Sequence, residues 1–110
     1  MVKIKRFDVC LVNLDPTVGS EIKKTRPAVI ISPDSMNLSQ LKTVIVAPLT
    51  STIREPFPTR VKTSFQGKEG QVALDQLRSI DRSRIVKKLG KLDSKSSDDI
   101  LTILSIMFSS

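Results

Sequence analysis

The sequence predicts a mainly β fold, a small antiparallel barrel or sandwich followed by one C-terminal α-helix. Short runs rich in Val, Ile and Leu recur along the first three quarters of the 110-residue chain, and turn residues separate them. Most of these runs have no helical pattern between them, which argues against alternating β and α units. Only residues 96–110 change to a helical periodicity.

Six segments carry the strand pattern. The first, Asp8–Leu14, stops at the turn signal Asp15-Pro16, and the second, Ala28–Ser32, is a nearly continuous apolar run. The other four are predicted at Thr43–Leu49, Thr59–Thr63, Gly70–Leu77 and Arg84–Leu92. Charged residues in Thr59–Thr63 are typical of an edge or solvent-facing strand.

A terminal amphipathic helix is predicted at about residues 97–108. Ser and Asp residues at positions 96–99 can cap free backbone N–H groups and interact favourably with the positive end of the helix dipole. The apolar residues that follow have helical spacing: Ile100, Ile103, Leu104 and Met107, with Leu101 and Phe108 widening the stripe. We expect this helix to cover the open side of the barrel, and its broad stripe also suits a subunit contact.

Length and composition indicate one globular domain, residues 1–110. No N-terminal segment resembles a signal peptide and no apolar run is long enough to cross a membrane, which favours a cytoplasmic protein. The single cysteine, Cys10, cannot form an internal disulfide. Its apolar neighbours predict a buried, unreactive thiol.

The formal net charge of +7 is spread over both halves of the chain. A folded basic domain favours a polyanionic partner, with nucleic acid as the first candidate. Charge alone does not separate this interpretation from a simple contribution to solubility.

Missing residue types exclude several chemistries. The chain has no histidine and one cysteine, so a zinc site would need almost only carboxylate ligands. Four glycines form no phosphate-binding loop, and without Trp or Tyr there is no aromatic stacking surface. Any catalysis must use Arg, Lys, Ser, Thr, Asp, Glu or backbone groups, and we predict neither a metal nor a cofactor.

The stretch KKTRPAVIIS places three cations, Lys23, Lys24 and Arg26, at the entrance of an apolar strand. Pro27 keeps Arg26 extended, so its guanidinium would project from the rim of a rigid sheet. A guanidinium there can hold a phosphate through two hydrogen bonds and stabilise developing charge. The alternative is a surface arginine paired with Glu21 or Asp15.

Two further groups of polar residues follow predicted strands. Thr50 and Ser51 end the APLTS segment, although hydroxyls there often satisfy only the turn backbone. Asp75, Gln76 and Arg78 offer an acceptor, an amide and a phosphate donor within four positions. Residues 81–84 have the pattern of one capped helical turn. The basic residues near them form a solvated face or steer RNA: Arg82, Arg84, Lys87, Lys88 and Lys91.

Three segments, in order and spacing, resemble the MazF/PemK toxins of bacterial type II toxin–antitoxin modules. They are DVCLVNLDPTVGSEIKKTRPAVIIS, TVIVAPLTS and LDQLRSIDRSRIVKKLGKL, and together they cover about Asp8 to Leu92. The resemblance implies an SH3-like barrel with a terminal helix that acts as a homodimer. It also implies a sequence-specific, metal-independent endoribonuclease for single-stranded RNA, chiefly mRNA, that an acidic MazE-like antitoxin neutralises.

The resemblance assigns roles to residues. Arg26 and Thr50 match the family positions that carry cleavage. The positions that match the family's RNA groove are Ser20, Glu21, Asp75, Gln76 and Arg78. From their charge or hydroxyl group and their position, Lys23, Lys24 and Ser51 are also expected to bind RNA. The expected reaction is attack of the ribose 2′-hydroxyl on its own phosphodiester, giving a 2′,3′-cyclic phosphate and a 5′-hydroxyl. The group that moves the protons stays open among Glu21, Asp75 and water.

The sequence departs from the family at several places and leaves two rival functions. Phe7 stands where the family usually has glycine, and the first loop reads EIKKT in place of a Gly/Gln-rich segment. One rival is a CcdB-like toxin that poisons gyrase, although the chain ends in MFSS without the Trp which that activity needs. The other is a non-enzymatic SH3-like binding module.

Overall fold

The computed structural model describes residues 3–53 and 57–110. It contains strands β1 to β7 and two helices, α1 and α2. The strands are Asp8–Asn13, Thr25–Ile30, Thr43–Thr50, Arg60–Phe65, Lys68–Ala73, Arg78–Asp81 and Ile85–Lys91. The helices are Asp34–Asn37 and Ser94–Met107, and two short 3-10 turns lie at Leu74–Gln76 and Arg82–Arg84.

The strands form one antiparallel sheet in the order β4-β5-β3-β2-β1-β7, which curls into a half-barrel. Strand β3 is shared: its first half, Thr43–Val46, pairs with β6, and its end, Leu49–Thr50, pairs with β5. Because one strand belongs to two differently directed ladders, the sheet bends along β3. The mainly β, SH3-like barrel with a C-terminal helix is therefore confirmed.

Alternate residues of the central strands supply two core clusters on the two faces of the sheet. On β2, Ala28 and Ile30 belong to one cluster, whereas Val29 packs in the other. Helix α2 covers the second cluster with Ile100, Ile103, Leu104 and Met107, as the sequence predicted. Leu101 and Phe108 widen the apolar stripe but are exposed, so they do not cover the barrel.

The buried thiol predicted at Cys10 is confirmed. Its side chain is fully buried in the first cluster. Burial, with a smaller contribution from the neighbouring Asp8 carboxylate, raises the pKa of the Cys10 thiol to about 11. The thiolate, which is the reactive form, is therefore strongly disfavoured.

The two edge strands, β4 and β7, are bridged by side chains. The β4–β5 hairpin turns at Gln66 and Gly67, both with positive φ (52° and 77°), as in the two-residue turns that suit twisted hairpins. Gln66 Nε2 donates to the Leu89 carbonyl at 3.1 Å. A Cβ at Gly90 would lie 3.2 Å from the Phe65 ring, so this glycine lets the ring pack directly on β7.

Phe7 has left-handed backbone (φ 70°), a conformation that favours glycine. Its N–H donates to the Ile30 carbonyl at 2.7 Å, and its carbonyl accepts from the Leu92 N–H at 2.9 Å. The ring packs against the second core cluster and lies under the Arg6 guanidinium at 5.6 Å. Packing and hydrogen bonds thus hold a residue in a conformation that its side chain disfavours.

The prediction of one strand over Gly70–Leu77 is wrong at both ends. Strand β5 starts at Lys68 and stops at Ala73, and a 3-10 turn follows before the separate strand β6. Buried Leu74 continues the apolar pattern through that turn, which is why the sequence imitates a longer strand. The capped turn predicted at residues 81–84 is confirmed, because the Asp81 carboxylate accepts from the Ser83 N–H at 2.9 Å.

Helix α2 begins at Ser94, three residues before the predicted start. Its N-cap is Asp93, whose carboxylate accepts from the Ser96 N–H at 3.0 Å. Ser96 and Ser97, which were expected to cap the helix, are buried inside its first turn, and Ser96 shares a 2.7 Å hydrogen bond with Thr63 of β4. No helix in the two described ranges is long and apolar enough to span a membrane.

Substituting Asp93→Ala tests the cap. Loss of the N-cap should lower the free energy of unfolding by about 1 kcal/mol at neutral pH. The hydrogen bond from the Ser96 N–H lowers the pKa of Asp93. A lowered carboxyl pKa stabilises the fold above the ordinary pKa, and that contribution is lost as the pH falls.

Urea unfolding at neutral and acid pH measures the effect. The difference between wild type and Asp93→Ala should shrink as the pH falls, while Asp98→Ala, on the exposed face of the same helix, should change stability less. Equal unfolding midpoints for the two variants would rule out the cap as described.

Candidate active site

The pairing of β2 with β3 brings Arg26 and Thr50 together. The register is Ala28↔Pro48, Val29↔Ala47 and Ile30↔Val46. If this register is continued by two residues toward the rim, Arg26 lies opposite Thr50. Directly opposed residues of antiparallel strands point to the same face of the sheet. Both residues line one cavity of about 290 Å³, which we name the Arg26 cavity.

The Arg26 guanidinium is held by backbone and not by a carboxylate. Its Nε donates to the Lys23 carbonyl at 2.8 Å, and in the described part of the chain it forms no ion pair. The alternative pairing with Glu21 or Asp15 is therefore wrong. The Glu21 carboxylate accepts from the Val18 N–H at 2.6 Å, and that of Asp15 from the Lys24 N–H at 3.0 Å. One edge of the guanidinium is left for an anion.

Thr50 is buried at the end of β3. Its Oγ1 accepts from the Thr52 N–H at 3.2 Å, so its own hydroxyl proton can point into the cavity. Strand β5 approaches closely here, because a Cβ built on Gly70 would lie only 2.6 Å from the Thr50 carbonyl oxygen. Glycine at position 70 is what permits this spacing.

The Arg26 cavity also contains residues that the sequence analysis missed. Besides Ser51, which was predicted, it is lined by Phe65, Gln66, Lys68 and Glu69 from the β4–β5 hairpin. They were missed because the strand was predicted to start at Gly70. The Gln66-Gly67 pair, a turn signal between two polar-apolar runs, could have located this hairpin.

A second cavity, the Gln76 cavity, holds the other predicted groove residues. It measures about 630 Å³ and is lined by Ser20, Glu21, Asp75, Gln76 and Arg78. Pro48 lines this cavity, and the next two residues, Leu49 and Thr50, line the Arg26 cavity, so both cavities adjoin the end of β3. Lys23 and Lys24 are exposed and line neither of these two cavities.

Several side chains of the Gln76 cavity hold the first loop in place. Gln76 accepts from the Ile22 N–H at 2.5 Å and donates to the Ser20 carbonyl at 3.2 Å. Arg78 donates to the Leu14 carbonyl at 2.9 Å. These contacts join both ends of the loop between β1 and β2 to the segment after β5.

The Asp75 carboxylate is bound by two neighbours. Arg60 forms a two-pronged ion pair with it, at 2.7 and 3.0 Å, and Thr59 donates to it at 3.0 Å. Chiefly through the Arg60 hydrogen bond, the pKa of Asp75 lies below its usual value, so this group is an acceptor and a weak base. Within residues 3–53 and 57–110 no cluster of His, Cys, Asp and Glu could hold a metal ion.

The basic residues near β6 and β7 are used mainly by the protein itself. Arg82 donates to the Leu41 and Met36 carbonyls, and Arg84 donates to the Asn13 and Asp15 carbonyls. Lys88 pairs with the buried Asp8 carboxylate at 3.2 Å. Exposed lysines of β7, not these arginines, form the solvated face.

Comparison with known proteins places the chain in a family. Residues 5–108 match the PemK-like, MazF-like toxins of type II toxin–antitoxin systems. The chain belongs to the PemK/MazF toxin family. It is 35% identical over 108 residues to Endoribonuclease MazF of Staphylococcus saprophyticus (94% of this chain, 89% of the relative). It is 33% identical over 108 residues to Endoribonuclease EndoA of Bacillus subtilis, with 94% and 92% covered.

Solved structures have the same fold. The crystal structure of MazF from Deinococcus radiodurans superposes with a TM-score of 0.82 at 25% identity, over 97% of each chain. An endoribonuclease in complex with its cognate antitoxin, from a mycobacterial species, gives a TM-score of 0.78 at 21% identity, covering 97% of this chain and 98% of the other. The fold and family predicted from the three sequence segments are confirmed.

The spacing at Gly70 can be tested by Gly70→Ala. Because the new methyl would lie 2.6 Å from the Thr50 carbonyl, β3 and β5 must separate, and we expect a loss of about 1–3 kcal/mol in the free energy of unfolding. Gly90→Ala is the control, since its methyl would meet only the Phe65 ring, at 3.2 Å. Urea titration should rank Gly70→Ala as the less stable variant, and the reverse order would contradict this account.

Because Gln76 hydrogen-bonds the loop between β1 and β2, its removal should increase hydrogen exchange locally in that loop. In Gln76→Ala the Ile22 N–H loses its acceptor, so its hydrogen exchange should accelerate by about tenfold, equivalent to one lost hydrogen bond. Gln66→Ala, which loses a bond to the Leu89 carbonyl instead, should leave Ile22 protected. Hydrogen–deuterium exchange by NMR measures both. Unchanged exchange at Ile22 in Gln76→Ala would show that the loop is held by other contacts.

Proposed function

We propose that this protein is the toxin of a type II toxin–antitoxin module and a sequence-specific, metal-independent endoribonuclease that cuts single-stranded RNA, chiefly mRNA. Family membership and the relatives named as endoribonucleases support the activity. The observation that carries the proposal is the Arg26 cavity, which is lined by Thr50 and by a guanidinium that has no carboxylate partner among the described residues.

The reaction uses a nucleophile that the substrate provides. The ribose 2′-oxygen attacks the adjacent phosphorus, the bond to the 5′-oxygen breaks, and the products are a 2′,3′-cyclic phosphate and a 5′-hydroxyl. DNA lacks the 2′-hydroxyl and is not a substrate. Arg26 stabilises the charge that develops on the phosphoryl oxygens, and Thr50 donates to the same phosphate and fixes the in-line geometry.

The Gln76 cavity suits the nucleotides next to the cut. Its polar lining, with Ser20, Glu21 and Asp75 as acceptors, can contact base edges and sugars, while Gln76 and Arg78 keep the loop in one conformation for them. Lys23 and Lys24 attract the RNA backbone at the mouth, a contribution that salt weakens. Ser51 adds a hydroxyl at the rim of the Arg26 cavity.

The expected partners follow from charge and family. An acidic, MazE-like antitoxin segment is complementary to the basic surface and would exclude RNA from the cavities. Complexes of MazE with MazF from Deinococcus radiodurans and of a mycobacterial endoribonuclease with its antitoxin support this. We further propose a cytoplasmic location and a homodimer, for which the exposed Leu101 and Ile106 of α2 and the following Phe108 offer apolar area.

Arg26→Ala tests the catalytic assignment. Removing one preorganised donor of positive charge should lower the cleavage rate by about 10²–10³-fold, with the fold intact. The assay is single-turnover cleavage of a long unstructured RNA in EDTA, with mapping of the ends. Lys95→Ala, which removes a positive charge from exposed α2, is the control and should cut like wild type.

Three outcomes would contradict the proposal. An Arg26→Ala rate within tenfold of wild type would remove Arg26 from the mechanism. A loss of cutting by wild type in EDTA would point to a metal. Intact RNA under all conditions would favour the gyrase-directed or non-enzymatic alternatives.

A further inference from the structure

We propose that Glu69 is the general base of the cleavage, accepting the proton of the attacking ribose 2′-hydroxyl. The inference rests on the proposed function and names the proton acceptor, which the sequence left open among Glu21, Asp75 and water. Glu69 was not among the candidates because its strand was predicted to begin at Gly70, whereas β5 begins at Lys68.

Strand pairing puts Glu69 on the same face as the two proposed catalytic residues. Thr50 pairs with Gln71 across β3 and β5, and directly opposed residues share a face. Side chains alternate along a strand, so Glu69, two residues before Gln71, is on that face as well. Arg26 lies on the same face, because the β2–β3 register places it opposite Thr50.

The separation suits a substrate between the groups. Diagonal neighbours on paired strands lie roughly 7–8 Å apart, which a glutamate side chain can span. Glu69 lines the same 290 Å³ cavity as Arg26 and Thr50. A ribose and its 3′-phosphate placed between them would have the phosphate toward Arg26 and the 2′-hydroxyl toward Glu69.

Glu69 is also the acidic residue whose carboxylate is available to accept the proton of the 2′-hydroxyl. Among the described residues its carboxylate forms no ion pair or hydrogen bond, and the residue is exposed where it lines this cavity and the neighbouring one beside Lys62 and Ser64. Asp75 is bound by Arg60 and Thr59, and Glu21 by the Val18 N–H, and both line the other cavity. Glu69 is the one acidic residue in the described lining of the Arg26 cavity.

The step balances without a co-reactant. The proton moves from the 2′-oxygen to a Glu69 carboxylate oxygen as the bond from the 2′-oxygen to phosphorus forms. The bond from phosphorus to the 5′-oxygen breaks, and that oxygen takes a proton from water. Glu69 then releases its proton to solvent, so the enzyme returns unchanged.

The deciding experiment uses two RNA oligonucleotides of the same sequence, one natural and one with sulfur in place of the bridging 5′-oxygen at the cut. A thiolate leaves without protonation, so the sulfur substrate needs a base but no general acid. Single-turnover rates are compared for wild type, Glu69→Gln and the matched carboxylate variant Glu21→Gln. Affinity is measured separately with an RNA that carries a 2′-deoxy sugar at the cut.

We expect Glu69→Gln to cut both substrates at least about 10²-fold more slowly, with unchanged thermal stability and unchanged or tighter binding of the deoxy RNA. Its rate should rise with pH more steeply than that of wild type, because hydroxide replaces the missing base. Glu69→Asp should recover part of the rate. Glu21→Gln should affect binding of the deoxy RNA more than the rate at saturation.

Other results overturn the inference and identify what failed. A Glu69→Gln rate within threefold of wild type, with Arg26→Ala inactive, removes Glu69 as the base and leaves the proposed function standing. A lower cleavage rate on the natural substrate, with an unchanged rate on the sulfur substrate, would make Glu69 the general acid and not the base. A loss of deoxy-RNA binding equal to the loss of rate makes it a binding residue. Absence of cutting by wild type removes both proposals.

Discussion

The close contact between β3 and β5 at Thr50 and Gly70 is the constraint on which the site depends. Strand β3 cannot pair with β6 along its first half and with β5 at its end unless the sheet bends, and the bend brings the hairpin of β4 and β5 toward the entrance of β2. With a side chain at position 70 the Thr50 carbonyl would be displaced. The spacing between guanidinium, hydroxyl and carboxylate therefore depends on backbone packing, not on a flexible loop.

The chemistry assembled there explains how an RNA-cleaving site can lack histidine. The substrate supplies the nucleophile, so the protein has to supply only charge, orientation and a proton acceptor. In this proposal Arg26 supplies the charge, Thr50 the orientation and Glu69 the proton acceptor.

The polar side chains of the two cavities differ in whether they already have hydrogen-bond partners within the protein. In the Gln76 cavity, Gln76, Arg78 and Asp75 are already bonded to backbone or to Arg60, so their geometry is fixed before RNA arrives. In the Arg26 cavity, within residues 3–53 and 57–110, only the Nε edge of the guanidinium is bonded and the Glu69 carboxylate has no partner. Fixed groups suit discrimination between nucleotides, because little entropy is lost on binding, while open groups suit a reacting phosphate.

Sequence reasoning predicted the apolar strands and the helix well, since each has a strong periodic pattern. Arg26 and Thr50 could be singled out as candidates because Pro27 and Pro48 each lie two residues from the strand end concerned. The hairpin was harder: β5 begins with Lys68 and Glu69, which look like loop residues until their partners Phe65 and Ser64 are known. Cross-strand neighbours of this kind depend on register, which a single sequence does not encode locally. The single-domain extent, residues 1–110, stays a prediction.

The left-handed residue before β1 restricts how this protein can evolve. Glycine at position 7 would relax the main chain but would remove an aromatic ring from the second core cluster, and any other residue would keep the torsional cost with a different fit. Because one kind of substitution loses ring packing and the other keeps the torsional cost, few substitutions at position 7 leave stability unchanged. Drift at this corner of the barrel therefore requires compensating changes in the residues that surround the ring.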